Sequence, residues 1–170
     1  MDLTTTRLLL IPVGADFLQA VIDRDHAAAG ALYQLTVPPT WPGHREAIDG
    51  LPLHLEALRA DPGELLWRVR LVILSDDRIA IGSVNLKGPP RDGCVELGWG
   101  LLPSMRRMGF AREAAEVVIG WLKAQPAVTR IIATIDDDNP ASIRIAQHLG
   151  MRRTPERHRA LPVYELTDWG

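Results

Sequence analysis

The stretch Glu96-Leu-Gly-Trp-Gly-Leu-Leu-Pro-Ser-Met-Arg-Arg-Met-Gly-Phe-Ala-Arg-Glu-Ala-Ala115 decides the fold of this chain, because an apolar strand passes through a basic turn straight into a helix. Alternation puts Val95, Leu97 and Trp99 on one side of the strand and Glu96, Gly98 and Gly100 on the other, leaving an open face beside a carboxylate. Downstream, Ala111, Ala114, Ala115, Val118 and Leu122 recur at helical spacing and mark one apolar face. The turn between them, Arg106 to Ala111, sets backbone N–H groups at a helix N-terminus, where unpaired donors and the positive end of the macrodipole favour an anion. Gly109 gives the turn access to positive φ and lets a ligand approach the backbone. The order strand, basic turn, helix therefore predicts a phosphate cradle.

Working outward, Arg7 to Pro12 reads as a first strand and Asp16 to Leu32 as a helix with Asp16 at its N-cap. The segment Tyr33 to Gly50 holds Pro38-Pro-Thr-Trp-Pro-Gly43 and reads as an irregular loop, followed by a short helix whose leucines stand at 51, 53, 55 and 58. Leu65 to Leu74, Ile79 to Leu86 and Cys94 to Leu102 read as consecutive strands of an antiparallel meander. After the cradle helix come a strand from Arg130, a helix from Asn139 closing on Gly150, and two strands near Met151 to Thr154 and Leu161 to Leu166.

Composition bounds the reading. With 170 residues and 46% apolar content, the chain fits a single domain over 1–170 with a substantial core. Its 19 basic and 21 acidic residues leave a net charge of −2, which points to no nucleic-acid partner and no anionic membrane. Cys94, the lone cysteine, excludes an intramolecular disulfide and reads as a small residue at a strand start. The run Leu8 to Val13 is too short to span a bilayer and lacks a signal peptide's basic start, so the expected location is cytoplasmic. His26, His44, His54, His148 and His158 show no metal-ligand spacing, and no metal is expected.

Arg106, Gly109 and Ala111 resemble the acyl-CoA pyrophosphate loop of the GNAT superfamily of N-acetyltransferases. Asn139-Pro-Ala-Ser142, with its helix ending on Gly150-Met, resembles the second signature of that superfamily. Thr5-Thr-Arg-Leu8, Glu96-Leu-Gly-Trp99 and Gly109-Phe-Ala-Arg-Glu-Ala114 resemble motifs of its ribosomal-protein alanine acetyltransferase-like (RimJ/RimL-like) group. The resemblance implies an α/β (α+β) fold: a mixed central sheet of about six to seven strands with a splayed central parallel pair, flanked by helices. It also implies a bulge in the central strand.

The activity so implied is direct transfer of an acetyl group from acetyl-CoA to a primary amine, either a protein N-terminus or a small molecule, with coenzyme A leaving. The implied cofactor contacts are the backbone around Trp99, Gly100 and Leu101, the turn formed by Arg106, Arg107, Met108, Gly109, Phe110, Ala111 and Arg112, and the helix start at Asn139 and Ser142. Asn followed by Pro is equally a good N-cap and N1 pair. Glu96, on the open face of the strand, is the candidate general base, with a structural ion-paired glutamate as its rival. Ala146 stands where many relatives carry a tyrosine acid, and Thr134 where some carry a second glutamate base. The acceptor is expected against Tyr33, Trp41 and His44 and the basic turn from Arg152 to Arg159. Trp41 has a core anchor as its plainer role. A homodimer is left open, and the rival function is a non-catalytic acyl-CoA-binding domain of the same fold.

Overall fold

The computed structural model describes residues 1–169, the side chains of residues 45 and 46 excepted. Strand β1 is Leu3–Thr4, β2 is Leu8–Pro12, β3 is Val69–Leu74, β4 is Ile79–Leu86 and β5 is Cys94–Leu101. Strand β6 is Arg130–Thr134, β7 is Arg152–His158 and β8 is Leu161–Leu166. They form an eight-stranded sheet in the order β1-β2-β3-β4-β5-β6-β8-β7. Every neighbouring pair is antiparallel except β5 with β6. The short β1, pairing with Leu9 and Leu10, takes the sheet past the expected six to seven strands.

Helices cover both faces, as apolar alternation in the strands requires. On one face α4 (Phe110–Lys123) lays Phe110, Ala114, Val118 and Leu122 on Leu8, Leu10, Val84, Val95 and Leu97. Helix α5 (Pro140–His148) contributes Ala146 to the same core. On the other face α1 (Ala15–Ile22), α2 (His26–Tyr33) and α3 (Arg45–Ala60) enclose Phe17, Leu18, Leu51, Leu55, Val69 and Leu71. Arg70 is fully buried on β3, where it donates to the carbonyls of Met1 and Leu66 and stacks over Trp121.

Three segments depart from the sequence reading. The expected first helix is two, because Arg24 turns left-handed at φ +63 and the Asp25 carboxylate accepts the N–H of Ala28, starting α2 afresh. Gly14 occupies the N-cap of α1, so Asp16 lies within its first turn. Helix α3 begins inside the segment read as irregular, capped by His44, and runs through Pro52. The carbonyl that Pro52 cannot bond is that of Ile48, an exposed residue open to water. The first residues of the strand expected over Leu65 to Leu74 instead end a 3-10 turn, Pro62–Trp67.

Candidate functional site

Strand β5 is bound to β6 only through Cys94, Val95 and Glu96, whereas its pairing with β4 continues to Leu101. From Leu97 onward β5 has no partner on β6, which stays paired with β8 on its other edge through Thr134, and the two central strands part. The expected bulge is not in β5: its register with β4 is unbroken, and the shift lies between Val72 and Ile73 in the β3–β4 pair.

Antiparallel alternation then decides which backbone groups face the cleft. Lys87 N–H donates to the Glu96 carbonyl and Leu102 N–H to that of Ile81, so Glu96, Gly98, Gly100 and Leu102 bond towards β4. Trp99 and Leu101 therefore turn their N–H and C=O towards the splay. This corrects the expectation for Gly100, whose backbone belongs to β4; what it offers is a missing side chain. The Leu101 carbonyl is itself taken, accepting from Arg106 Nε at 3.2 Å.

The cleft leads to the N-terminus of α4. Gly109 stands at its N-cap with φ +82, and among the described residues no side chain caps it. The first N–H of the helix to find a carbonyl behind it is that of Glu113, bonded to Gly109. The donors of Phe110, Ala111 and Arg112 precede it, as the geometry of any helix start dictates. Arg107, at φ +64, bends the turn. Arg7 holds it from behind, donating from Nη1 to the Met108 carbonyl at 3.1 Å and stacking 4.4 Å from the centre of the buried Phe110 ring. Arg106 folds away from the turn, bridging the carbonyls of Leu101 and Gly43.

On the opposite face of β5, Glu96 accepts from Thr134 Oγ1 at 2.9 Å, and its other oxygen lies 3.9 Å from His158 Nε2. Thr134, which stands where a second base was missed, thus orients the first. Beside Glu96, nothing would meet a Cβ on Gly98 within 4 Å. Next along, the His44 imidazole lies directly over Gly100, its Nε2 1.7 Å from where a Cβ would be. Across from these glycines β4 carries Ser83 and Asn85, opposite Gly100 and Gly98, with Ser83 Oγ and Asn85 Oδ1 buried and without a hydrogen-bond partner. Sequence reasoning missed both. The available signal was Ser83-Val-Asn85, two polar residues at alternate positions in an apolar strand.

The remaining candidates are dispersed. Trp41 is 2% exposed, donates from Nε1 to the Gly82 carbonyl at 3.0 Å and packs edge-on to Phe17, which makes it a core anchor. Tyr33 accepts the Gly14 N–H and lines a separate hollow with Phe17 and Leu32. His44 instead borders a hollow of about 530 Å³ with Thr40, Ile48, Leu102, Pro103 and Ser104. Asn139 caps α5 by accepting from Ser142 N–H at 3.1 Å. Ala146 is wholly buried, so its position faces core rather than cleft. Burial pushes the Cys94 thiol above its ordinary pKa, against any nucleophilic role.

Among the described residues no helix is long and apolar enough to cross a membrane. The sequence matches the Acetyltransferase (GNAT) domain family over residues 7–152. It is 29% identical to the uncharacterized N-acetyltransferase YjdG of Bacillus subtilis (strain 168), over 87% of this chain and 88% of that one. The fold superposes on the ribosomal-protein-S5-alanine acetyltransferase from Vibrio fischeri with a TM-score of 0.70 at 16% identity, covering 98% and 96% of the two chains. It superposes on the ribosomal L7/L12 alpha-N-protein acetyltransferase RimL, solved in complex with coenzyme A, with a TM-score of 0.67 at 14% identity and 98% coverage of each. A family match over most of the chain, on a sheet splayed beside an uncapped helix start, makes this protein a member of the GNAT acetyltransferases.

Proposed function

We propose that the chain, working as one domain over residues 1–170, transfers the acetyl group of acetyl-CoA to a primary amine, either a protein N-terminus or a small molecule, in the cytoplasm. The observation that carries this reading is the continuity between the splay beyond Glu96 and the uncapped N-terminus of α4. The residues present fit the cofactor. Backbone donors from Arg107 to Arg112 suit its phosphates, and the edge at Trp99 and Leu101 suits an extended arm rich in amides. The coenzyme A complex of the RimL relative supports the same assignment.

Acetyl-CoA supplies an activated thioester when bound. The chain supplies the rest by holding two reactants together and managing one proton. Glu96, oriented by Thr134, takes a proton from the incoming ammonium, directly or through water. The gap over Gly98, bordered by Glu96 and Asn85, is where the amine enters. Asn139 and Ser142 border the cofactor while serving as cap and first turn of α5. Ala146 offers no acid, and coenzyme A thiolate is a good enough leaving group to depart without one.

The test is calorimetric titration with acetyl-CoA of the wild type and of Gly109→Glu, which places bulk and negative charge in the turn. Saturable binding lost in the variant supports the reading. Absence of binding to folded wild-type protein overturns it. Release of free thiol in the presence of alanine-initiated peptides or of small primary amines then sorts the acceptor classes.

A further inference from the structure

We propose that His158 carries the reaction's proton away from Glu96, taking it on Nε2 and releasing one from Nδ1 to water at the protein surface. The inference rests on the acetyl-transfer reading above and adds to it the route by which the base is reset.

Pairing parity puts the two side chains on one face of the sheet. Glu96 lies beside Ile132 on β6, Thr134 is opposite Val163 on β8, and Leu161, two residues before Val163, is opposite His158 on β7. Residues two apart on a strand, and residues paired directly across a ladder, share a face, so Glu96, Thr134, Leu161 and His158 belong to the same one. The hairpin that presents the imidazole is short and fixed. Arg159 and Ala160, at φ +49 and +67, make its two-residue turn, and a left-handed pair of this kind matches the twist of the flanking strands. Arg157 clamps the turn, donating from Nη1 to the Ala160 carbonyl at 2.7 Å while its Nη2 lies 3.8 Å from Asp137 Oδ2.

Of the two Glu96 oxygens, Oε1 is engaged by Thr134 and Oε2 faces His158 Nε2 at 3.9 Å. That separation is too long for a direct hydrogen bond and short enough for one small group, a water or the acceptor nitrogen itself, to touch both atoms. The surroundings of the pair differ, since the Glu96 side chain is 13% exposed and that of His158 48%. With the acceptor over Gly98 and the cofactor in the splay, the side of Glu96 that still leads to solvent is the imidazole's. Proton removal breaks an N–H bond of the ammonium, leaves its electron pair on nitrogen for attack on the thioester carbon, and protonates Glu96 Oε2. His158, neutral at the start of this step, takes that proton on Nε2. The imidazolium then gives up the proton on Nδ1 to water or a buffer base, so the carboxylate and a neutral ring are both restored. Imidazole accepts at one nitrogen and releases at the other, which moves the charge outward without turning the side chain.

The test is steady-state thiol release with alanine-initiated peptides and small primary amines, run on wild type, His158→Ala and His158→Arg beside calorimetry with acetyl-CoA. Both variants should lose about tenfold in kcat while acetyl-CoA affinity stays within about twofold. Free imidazole added to the assay should restore His158→Ala and leave Glu96→Gln unrestored. His158→Arg keeps a cation beside Glu96 but cannot accept a proton, so full activity in that variant would mark a static ion pair and overturn the relay. Unchanged kcat in His158→Ala, or a loss that imidazole does not restore, overturns it as well. A readout independent of turnover comes from the free protein labelled with 15N at its histidine rings. The His158 signals should move in Glu96→Gln, and a ring that does not respond overturns the contact on which the relay depends. Failure of these arms in a protein whose wild type acetylates an amine leaves the acetyl-transfer reading standing. A wild type that turns over neither class of amine overturns both.

Discussion

Arg7 donates to Glu113 across 106 residues of sequence, from Nε at 2.8 Å and from Nη2 at 2.5 Å to the same carboxylate oxygen, Oε2. Thr5 Oγ1 donates to the other oxygen at 2.5 Å, and the Arg7 backbone N–H joins it at 3.3 Å. Burial alone would raise the Glu113 pKa. The bonds from Thr5 and Arg7 outweigh that and hold it below the ordinary carboxylate value. The strand entering the sheet thus grips the first turns of α4, and through Met108 O the turn ahead of them. Arg7→Gln and Glu113→Gln should each weaken acetyl-CoA binding by about tenfold and cost about 1 kcal/mol of stability, since charge-assisted bonds are lost at a half-exposed site. The double variant should lose little beyond either single one. Calorimetry and urea unfolding of the three proteins check this, and strictly additive losses would show that the residues act separately. The stabilisation is present above the ordinary carboxylate pKa and is lost as pH falls through the lowered folded value.

Glu96→Gln should cut turnover by about a hundredfold or more while leaving acetyl-CoA affinity within about twofold, as removal of a general base does. Thr134→Val removes only the bond that orients the carboxylate. It should cost about tenfold in kcat. Steady-state kinetics with the best amine found, set beside calorimetry, separate the two. Equal loss of cofactor binding in Glu96→Gln would make the residue structural.

Gly82→Ala should cost about 3 kcal/mol, in the range of overpacked cores. A Cβ there would stand 2.1 Å from the Gly100 carbonyl oxygen and 2.8 Å from Leu101 Cα, both backbone atoms that cannot rotate aside. Gly120→Ala, on α4 where an added Cβ meets nothing within 4 Å, should instead stabilise slightly. Chemical denaturation of the pair tests the contrast, and similar stabilities would refute the close packing of β4 on β5.

His54 is 4% exposed on α3, and burial first, then the charges of Lys87 and Arg68, lower its pKa from 6.5 to about 4. The unfolded chain binds a proton below 6.5 that the folded one refuses. Stability is therefore untouched above 6.5 and falls as pH drops from there towards 4, by up to about 2 kcal/mol at about pH 5. His54→Phe should flatten that part of the curve. Urea unfolding at about pH 7 and about pH 5 decides it, and parallel slopes in both proteins would place the titration elsewhere.

Much of this architecture was legible because it depends on local pattern. The alternation in Cys94 to Leu101 and the helical spacing from Ala111 to Leu122 forecast a strand feeding a helix, and Gly109 forecast the left-handed turn between them. What could not be read was partnership at a distance. Thr5 and Arg7 were visible as a motif, yet nothing in the sequence says that they close on Glu113. Arg106 read as a charge beside phosphates because its neighbours are basic, whereas its guanidinium finds two carbonyls from the start of α3 and the end of β5. Gly100 read as a cofactor contact, and its use depends on the pairing parity with Ser83. The break at Arg24 was hidden because helical periodicity on either side is nearly in phase, and a left-handed arginine leaves no sequence mark.

The pairing of β5 with β6 through Cys94, Val95 and Glu96 has a mechanical consequence. It is a seam: five strands lie on one side of it and three on the other, joined at the backbone by the shortest stretch of ladder between any central pair. An extended molecule lodged in the opening beyond Glu96 would act as mortar between the two blocks, bonding the free edge of one while resting on the other. Amide exchange near the seam should then slow on both sides when the opening is filled, in strands that the occupant never touches. The enzyme's reagent would double as a structural strut, and the protein would be stiffest while it is charged for reaction and loosest just after product has gone.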